Sequence, residues 1–152
     1  MDGAGGDDTT RLDINGWTTG NGNGLTFRQN PSGSAYTLKL ADPAAPFLVR
    51  EDYVEVDGIS IVNTHINSQV AIDLQVGTFA AADNLIVIKN CQISSTLDKS
   101  NGYIILGSES NLVLEFYNNT VACTSRFIDT RNAAQVDITY CSVLLHGNYL
   151  GL

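Results

Sequence analysis

The stretch DNLIVIKNCQIS, residues 83–94, is one of four related phrases in the sequence. Apolar side chains stand at alternate positions, Ile86 and Ile88, an Asn-Cys pair follows, and Ile93 resumes the apolar pattern. Related phrases are DGISIVNTHIN at 57–67, LVLEFYNNTVA at 112–122 and QVDITYCSVLL at 135–145. Alternation with a period of two predicts β-strands with one buried face, and helical spacing fits none of the four phrases.

The four phrases align on two polar columns. The first column holds Asn63, Asn90, Asn118 and Tyr140, and the second holds Thr64, Cys91, Asn119 and Cys141. The interval between phrases is roughly 20–30 residues, which is typical of a solenoid whose repeats bury their apolar faces on one another. Further apolar segments follow at 70–74 (VAIDL), 103–106 (YIIL) and 126–128 (RFI). Each repeat is therefore predicted to hold two or three short strands, as in one coil of a parallel β-helix.

The pattern shared by ISIVNTHI, IVIKNCQI and LEFYNNTV resembles coils of the right-handed parallel β-helix of the pectin lyase-like superfamily, over roughly residues 52–145. The resemblance implies an all-β fold, a short right-handed parallel β-helix of about four to five coils. It also implies internal ladders at the turns between sheets, formed by Asn63, Asn90, Asn118, Cys91 and Cys141. The superfamily includes polysaccharide lyases, glycoside hydrolases, phage tailspikes and non-catalytic virion proteins, so the fold alone does not define the function.

The beginning of the chain has a different composition. Residues 1–24 are rich in glycine and are predicted to form an N-terminal arm, and residues 25–152 are predicted to form the β-helix domain. Within the arm, the apolar side chains of Leu12, Ile14 and Trp17 need cover. They either fold back onto the end of the solenoid or become buried in a partner.

Charge and cysteine usage exclude several classes of protein. The chain has 16 acidic and 8 basic side chains and a net charge of −8, which argues against nucleic-acid or membrane partners. No apolar run approaches the roughly 20 residues of a membrane span, and no secretory signal is apparent. Cys91 and Cys141 fall two coils apart, about 9–10 Å, beyond the reach of a disulfide. The three cysteines, the third being Cys123, are expected to be free, and no metal or other cofactor is predicted.

Carboxylates are the side chains that could carry catalysis in such a fold. Asp73 and Asp129 each follow an aliphatic residue in the second strand of a coil, so we expect them on one face, two coils apart. Asp57, Asp83 and Asp137 form a rougher column near the first strand. Outward carboxylates usually solubilise a sheet or block its edge, and we interpret both sets in that way.

Motifs of the superfamily's enzymes are only partly present. Polygalacturonase-like members carry NTD, DD, HG and RIK segments, whereas this chain has NTH at 63–65 and HG at 146–147, without an adjacent Asp pair in the coils or an RIK segment. Pectate-lyase-like members use a Ca²⁺ cluster of acids and an arginine base. This chain has Arg126 and Arg131, but no comparable acidic cluster accompanies them. His65 and His146 are too far apart in sequence to suggest a shared metal site. The chain is therefore predicted not to be an enzyme.

A short solenoid leaves open ends, and oligomerisation is the simplest way to cover them. Three β-helices side by side are found among the phage spike and decoration proteins that this chain resembles. We expect a non-catalytic structural protein of the virion: a homotrimeric capsid decoration (cement) protein of a tailed phage, made in the host cytoplasm and bound to the major capsid protein on the capsid surface. The alternatives are a tail fibre or spike segment, and a glycan-binding or glycan-cleaving β-helix module from a polysaccharide depolymerase.

Overall fold

The structure is a computed structural model. It describes residues 7–33, 35–41, 45–64, 70–75, 84–95, 103–107, 112–123, 126–129 and 135–145. His65, His146, Asp83 and Arg131, which were considered above, lie outside the described residues.

The described residues contain sixteen β-strands. In chain order they are β1 (Asp7–Asp8), β2 (Leu12–Ile14), β3 (Leu25–Arg28), β4 (Thr37–Leu40), β5 (Phe47–Val49), β6 (Val54–Asp57), β7 (Ser60–Asn63), β8 (Ile72–Leu74), β9 (Asn84–Lys89), β10 (Gln92–Ser95), β11 (Tyr103–Gly107), β12 (Leu112–Tyr117), β13 (Thr120–Cys123), β14 (Arg126–Asp129), β15 (Gln135–Thr139) and β16 (Ser142–Leu145).

The strands form three parallel sheets that the chain visits in strict rotation. Sheet A contains β1, β4, β7, β10, β13 and β16; sheet B contains β2, β5, β8, β11 and β14; and sheet C contains β3, β6, β9, β12 and β15. Each strand therefore pairs with the strand three positions earlier or later in the chain, for example β9 with β6 and with β12. The all-β class with parallel sheets is confirmed, and the arrangement is compatible with a parallel β-helix-like fold.

The inward side chains of the three sheets form one hydrophobic cluster. In sheet A, Ile61, Ile93 and Val121 occupy one column and are almost fully buried. Burying a side chain of this size contributes about 1.5–3 kcal/mol to folding. The last described strands differ, because Ile138 and Val143, which continue such columns, are 40% and 38% exposed. The stack therefore presents apolar surface at β15 and β16.

The register of the first phrase differs from the sequence alignment, which placed Ile61 beside Ile88. In the structure Ile61 pairs with Ile93, and Val56 pairs with Ile88. The alignment of this phrase was therefore wrong by five residues. The physical reason is that each phrase consists of two apolar strands joined by a tight turn, so that a strand of sheet A was matched to a strand of sheet C with the same alternation.

The described part of the predicted arm, residues 7–24, contains strands of the stack. Strand β1 pairs with β4, and β2 pairs with β5. Ile14 is 1% exposed and belongs to the core cluster, because it continues the inward column of Val49 in sheet B. The structure therefore differs from the prediction of an arm outside the coils, because β1 and β2 are strands of the stack. The segment 25–40 contributes β3 to sheet C and β4 to sheet A.

Candidate interaction surface

A column of residues with positive φ marks the tight turn between sheets C and A. Gly58, Asn90, Asn118 and Tyr140 have φ of 73°, 56°, 53° and 53°. Glycine adopts this conformation without a steric penalty, and asparagine tolerates it better than most residues do. The register places Gly58 in this column beside Asn90, so the predicted place of Asn63 in it was wrong.

Exposed side chains form a polar ladder along this turn. Asn118 Nδ2 donates to Asn90 Oδ1 at 2.6 Å, and Asn90 Nδ2 donates to Asp57 Oδ1 at 2.6 Å. Both asparagines are exposed, so the internal position predicted for them differs from the structure. Asn63 is buried in β7 instead, where its Nδ2 donates to the carbonyl of Val70 at 2.8 Å.

The neighbouring column points inward and holds Ile59, Cys91, Asn119 and Cys141. The amide of Asn119 bridges two coils, because its Oδ1 accepts from the Cys91 N–H and its Nδ2 donates to the Ile88 carbonyl, both at 2.8 Å. The thiols of Cys91 and Cys141 are free and lie two strands apart. Burial raises the pKa of Cys91 to about 11, so little thiolate forms near neutral pH.

Sheet B carries the pair of carboxylates considered for catalysis. Asp73 and Asp129 both pair with Leu106, which confirms that they share a column two strands apart. Two strand spacings amount to about 9–10 Å. Burial raises the pKa of Asp73, whose Oδ2 accepts from Gln75 Nε2 at 2.7 Å, and Asp129 is buried.

The other proposed column of carboxylates does not form. Asp57 pairs with Lys89, and Asp137 pairs with Glu115, which places the two aspartates in different columns of sheet C. Lys89 Nζ lies 3.0 Å from Glu55 Oε2 and 3.8 Å from Asp57 Oδ2. The hydrogen bond to Glu55 is the largest cause of a raised pKa for Lys89.

Trp17 projects from a loop that two buried carboxylates hold in place. Glu51 Oε1 accepts from the backbone N–H groups of Gly16 and Trp17, the latter at 3.0 Å. The Thr19 hydroxyl donates to Asp52, and both acids are buried. The Trp17 side chain nevertheless remains 60% exposed.

The apolar trio of the predicted arm is therefore divided. Ile14 is buried in the core and Leu12 packs against it in part, whereas Trp17 faces solvent. The sequence did not predict that Glu51 and Asp52 hold the loop. Glu51 lies 34 residues after Trp17, and Asp52 lies 33 residues after Thr19, so neither contact is local. Two adjacent acids inside an apolar segment, LVREDYV, were the available signal.

The rest of this loop is fastened to itself and to sheet C. Gly20 and Asn23 exchange two backbone hydrogen bonds of 3.1 and 2.8 Å, and Asn23 Nδ2 donates to the Thr18 carbonyl at 2.9 Å. Gly24 passes so close to Tyr53 that a Cβ at residue 24 would lie 2.7 Å from the Tyr53 carbonyl oxygen. A side chain at residue 24 would therefore push the loop away from the sheet.

A cleft of about 300 Å³ separates this loop from the outer face of sheet C. It is lined by Gly20, Gly22, Gly24, Leu25, Thr26, Tyr53, Val54, Glu55, Leu85 and Val87. The loop contributes glycine backbone, and the sheet contributes apolar side chains with one carboxylate. We call this the glycine-loop cleft.

Among the described residues, no group of three or more His, Cys, Asp or Glu side chains is placed to hold a metal ion. The described part of the chain also contains no helix with the length and apolar character to cross a membrane.

Comparison of the chain with protein-family models, curated proteins and solved structures found no match. The class that the structure defines is an all-β protein with three parallel sheets.

Proposed function

We propose that this chain is a non-catalytic structural protein that works within an assembly, specifically a homotrimeric capsid decoration protein of a tailed phage that binds the major capsid protein. The observation that carries the proposal is Trp17, which is 60% exposed although Glu51 fixes its backbone. Tryptophan is enriched among residues that dominate protein–protein binding. A loop that is already ordered loses less entropy when it binds.

The rest of the surface supports a structural role. Along the turn between sheets C and A, Asn118, Asn90 and Asp57 satisfy one another in a ladder. Parallel strands joined by short turns give a stack that is suited to bearing a contact surface. The phage and trimer assignments rest on the resemblance of the repeated phrases to coils of virion proteins.

Binding to expanded phage capsid shells that lack their own decoration protein tests the proposal. The wild-type chain is expected to co-sediment with the shells. We propose that Trp17 joins the three copies, so Trp17→Ala is expected to bind at least tenfold more weakly because a dissociated chain loses the avidity of three copies. Tyr140→Ala is the matched control, since Tyr140 is also an exposed aromatic, 91% exposed, far along the stack. Absence of wild-type binding would overturn the proposal. Binding to tails instead of shells would favour the fibre or spike alternative.

A point substitution is a cleaner test than deletion of the N-terminal segment. Removing residues 1–20 would also remove β1 and β2, and with them Ile14 from the core. Such a deletion would weaken binding through loss of folding alone. Trp17→Ala removes an exposed side chain and leaves both strands in place.

One observation favours a second candidate function, a glycan-cleaving module. Asp73 and Asp129 share a column at about the upper end of the 6.5–9.5 Å separation of inverting glycosidases, and burial raises the pKa of Asp73 in the way that a general acid requires. The test is incubation with bacterial surface polysaccharide and analysis for shortened oligosaccharides. Cleavage that is abolished by Asp73→Asn or Asp129→Asn would establish this function in place of the structural one.

A further inference from the structure

We infer that Trp17 of one copy of the chain inserts into the glycine-loop cleft of a second copy. This deepens the proposed function, on which it rests for the number of copies in the assembly. Two features of one surface support this contact: an exposed aromatic side chain on a fixed backbone, and a cleft of limited size with an apolar floor.

The size of the cleft suits a single ring system. Its volume, about 300 Å³, lies at the lower end of the range for small-molecule sites. Leu85 and Val87 stand two residues apart in β9 and alternate with the buried Ile86, so both lie on the outer face of sheet C. Together they give the cleft an apolar floor. Opposite them, glycines 20, 22 and 24 present backbone without side chains. A flat aromatic ring can therefore lie between the loop and the sheet.

The polar chemistry of the cleft also matches an indole. The indole N–H is a donor only, so a buried tryptophan needs an acceptor. Glu55 supplies a carboxylate at the cleft, and its ion pair with Lys89 involves Oε2. A carboxylate has about four lone-pair sites, so it accepts a further hydrogen bond without losing that ion pair.

The described lining of the cleft does not include Trp17 of the same chain. Trp17 stands three residues before Gly20, the first loop residue of the cleft, so both halves of the contact lie on the same side of the molecule. Two copies can therefore meet with the tryptophan of one facing the cleft of the other. Rotational symmetry closes such contacts into a finite assembly.

Sedimentation velocity of the full chain, with substitutions on each half of the contact, tests the inference. The wild-type chain is expected to associate at concentrations up to about 100 µM. Trp17→Ala removes the inserted ring. Val87→Arg fills the cleft, and it should be tolerated in a single chain because Glu55 and Glu115 flank residue 87 in its column. Each variant alone is expected to sediment as a single copy at concentrations where the wild type associates.

The controls are Tyr140→Ala for the aromatic substitution and Val62→Arg for the charge, since Val62 is also half-buried and faces outward but lies in β7 of sheet A, away from the cleft. Both controls are expected to associate like the wild type, and circular dichroism with thermal unfolding checks that every variant folds. If a control dissociates as fully as its matched variant while remaining folded, the assigned contact is wrong.

Mixing the two variants gives the decisive result. Trp17→Ala keeps the cleft and Val87→Arg keeps the tryptophan, so an equimolar mixture is expected to form a complex that neither variant forms alone. A monomeric wild type, single variants that still associate, or a mixture that stays dissociated would each overturn the inference. Association without binding to capsid shells would leave the contact standing and remove the proposed phage function.

Discussion

The side-chain oxygen of Asn119 accepts a hydrogen bond from the backbone N–H of Cys91 at 2.8 Å, in the coil before its own. The amide nitrogen of Asn119 donates to the carbonyl of Ile88, also at 2.8 Å, so that a single buried side chain satisfies two backbone groups of the preceding turn. Buried backbone groups that lose such partners are costly.

Replacing Asn119 by leucine should therefore lower the free energy of unfolding by about 2–4 kcal/mol, because the Cys91 N–H and the Ile88 carbonyl lose their partner. Urea denaturation monitored by circular dichroism measures the change. The exposed neighbour Asn118 is the control, and Asn118→Gly is expected to cost about 1 kcal/mol or less, since water replaces its partners and glycine adopts its positive φ without a steric penalty. Equal losses at the two positions would contradict the assigned burial.

The positive φ of the turn column predicts a contrast between two substitutions at Asn90. Asn90→Gly is expected to change stability by less than about 0.5 kcal/mol relative to wild type, because Gly58 already occupies the same column with φ of 73°. Asn90→Val should cost about 1–2 kcal/mol, the penalty of a left-handed conformation for a β-branched residue. Both variants lose the ladder hydrogen bonds, so their difference isolates the backbone term. Equal unfolding midpoints of Asn90→Gly and Asn90→Val in urea would refute the backbone penalty at this turn.

The burial of Cys91 predicts slow alkylation. Its pKa of about 11 leaves a thiolate fraction at pH 8 roughly two orders of magnitude below that of an ordinary thiol. Iodoacetamide labelling of the native chain, followed by peptide mass spectrometry, should therefore modify the half-buried Cys141 well before Cys91. In denaturant the two rates should converge. Fast labelling of Cys91 in the native chain would show that the inward column is open.

The raised pKa of Asp73 predicts a pH-dependent effect of Asp73→Asn. Burial favours the protonated form in the folded chain, so the contribution of this group to stability is fully present below its unfolded pKa and is lost as pH rises through its folded pKa. At pH 7 the asparagine variant should be more stable than the wild type by less than about 1 kcal/mol, since solvent screens a half-buried carboxylate. Below the ordinary carboxyl range this advantage should vanish.

Thermal unfolding at pH 7 and pH 3 measures the difference. Asp137→Asn is the matched control, because Asp137 Oδ2 accepts from Gln135 Nε2 at 2.7 Å, as Asp73 does from Gln75, but is exposed. An Asp73→Asn advantage of the same size at both pH values would show that burial of the carboxylate is not its cause.

The anchoring of the tryptophan loop predicts a local effect of Glu51→Ala. Loss of the acceptor should accelerate hydrogen exchange of the Gly16 and Trp17 amides by about ten- to a hundredfold, since a hydrogen bond to a charged group is worth about 1.5–3 kcal/mol. Glu51→Gln keeps an oxygen acceptor, so its amide exchange rates should lie between those of the wild type and those of Glu51→Ala. Amide exchange by NMR gives both rates, and unchanged rates in Glu51→Ala would show that the loop is held by other contacts.

The alternation of apolar residues was enough to predict the strands, and the shared position of Asp73 and Asp129 was correct because each follows an aliphatic residue at the same place in its coil. The register of Ile61 was not predictable from the phrase, since strands of sheets A and C carry the same pattern and only their pairing separates them. The exposed orientation of Asn90 was missed for a different reason: a positive φ, which alternation does not reveal, turns the side chain outward.

The interaction surface was predictable only in part. An apolar trio in a glycine-rich segment indicated Trp17 as a residue in need of cover, but alternation alone does not say that Ile14 would enter the core and Trp17 would not. The anchor at Glu51 is a contact across 34 residues, and the glycine-loop cleft joins residues as distant as Gly20 and Val87. Such contacts depend on how the strands stack, which no local pattern contains.

The emission of the single tryptophan, measured across a concentration series alongside the sedimentation mass, shows whether Trp17 makes the contact between copies, because the chain contains one tryptophan and every change in its emission reports on Trp17. We expect the emission to shift to shorter wavelength, and acrylamide quenching to fall, over the same concentrations at which the mass rises. A rise in mass with Trp17 still quenched like a solvent-exposed indole would contradict the claim that Trp17 makes the contact between copies.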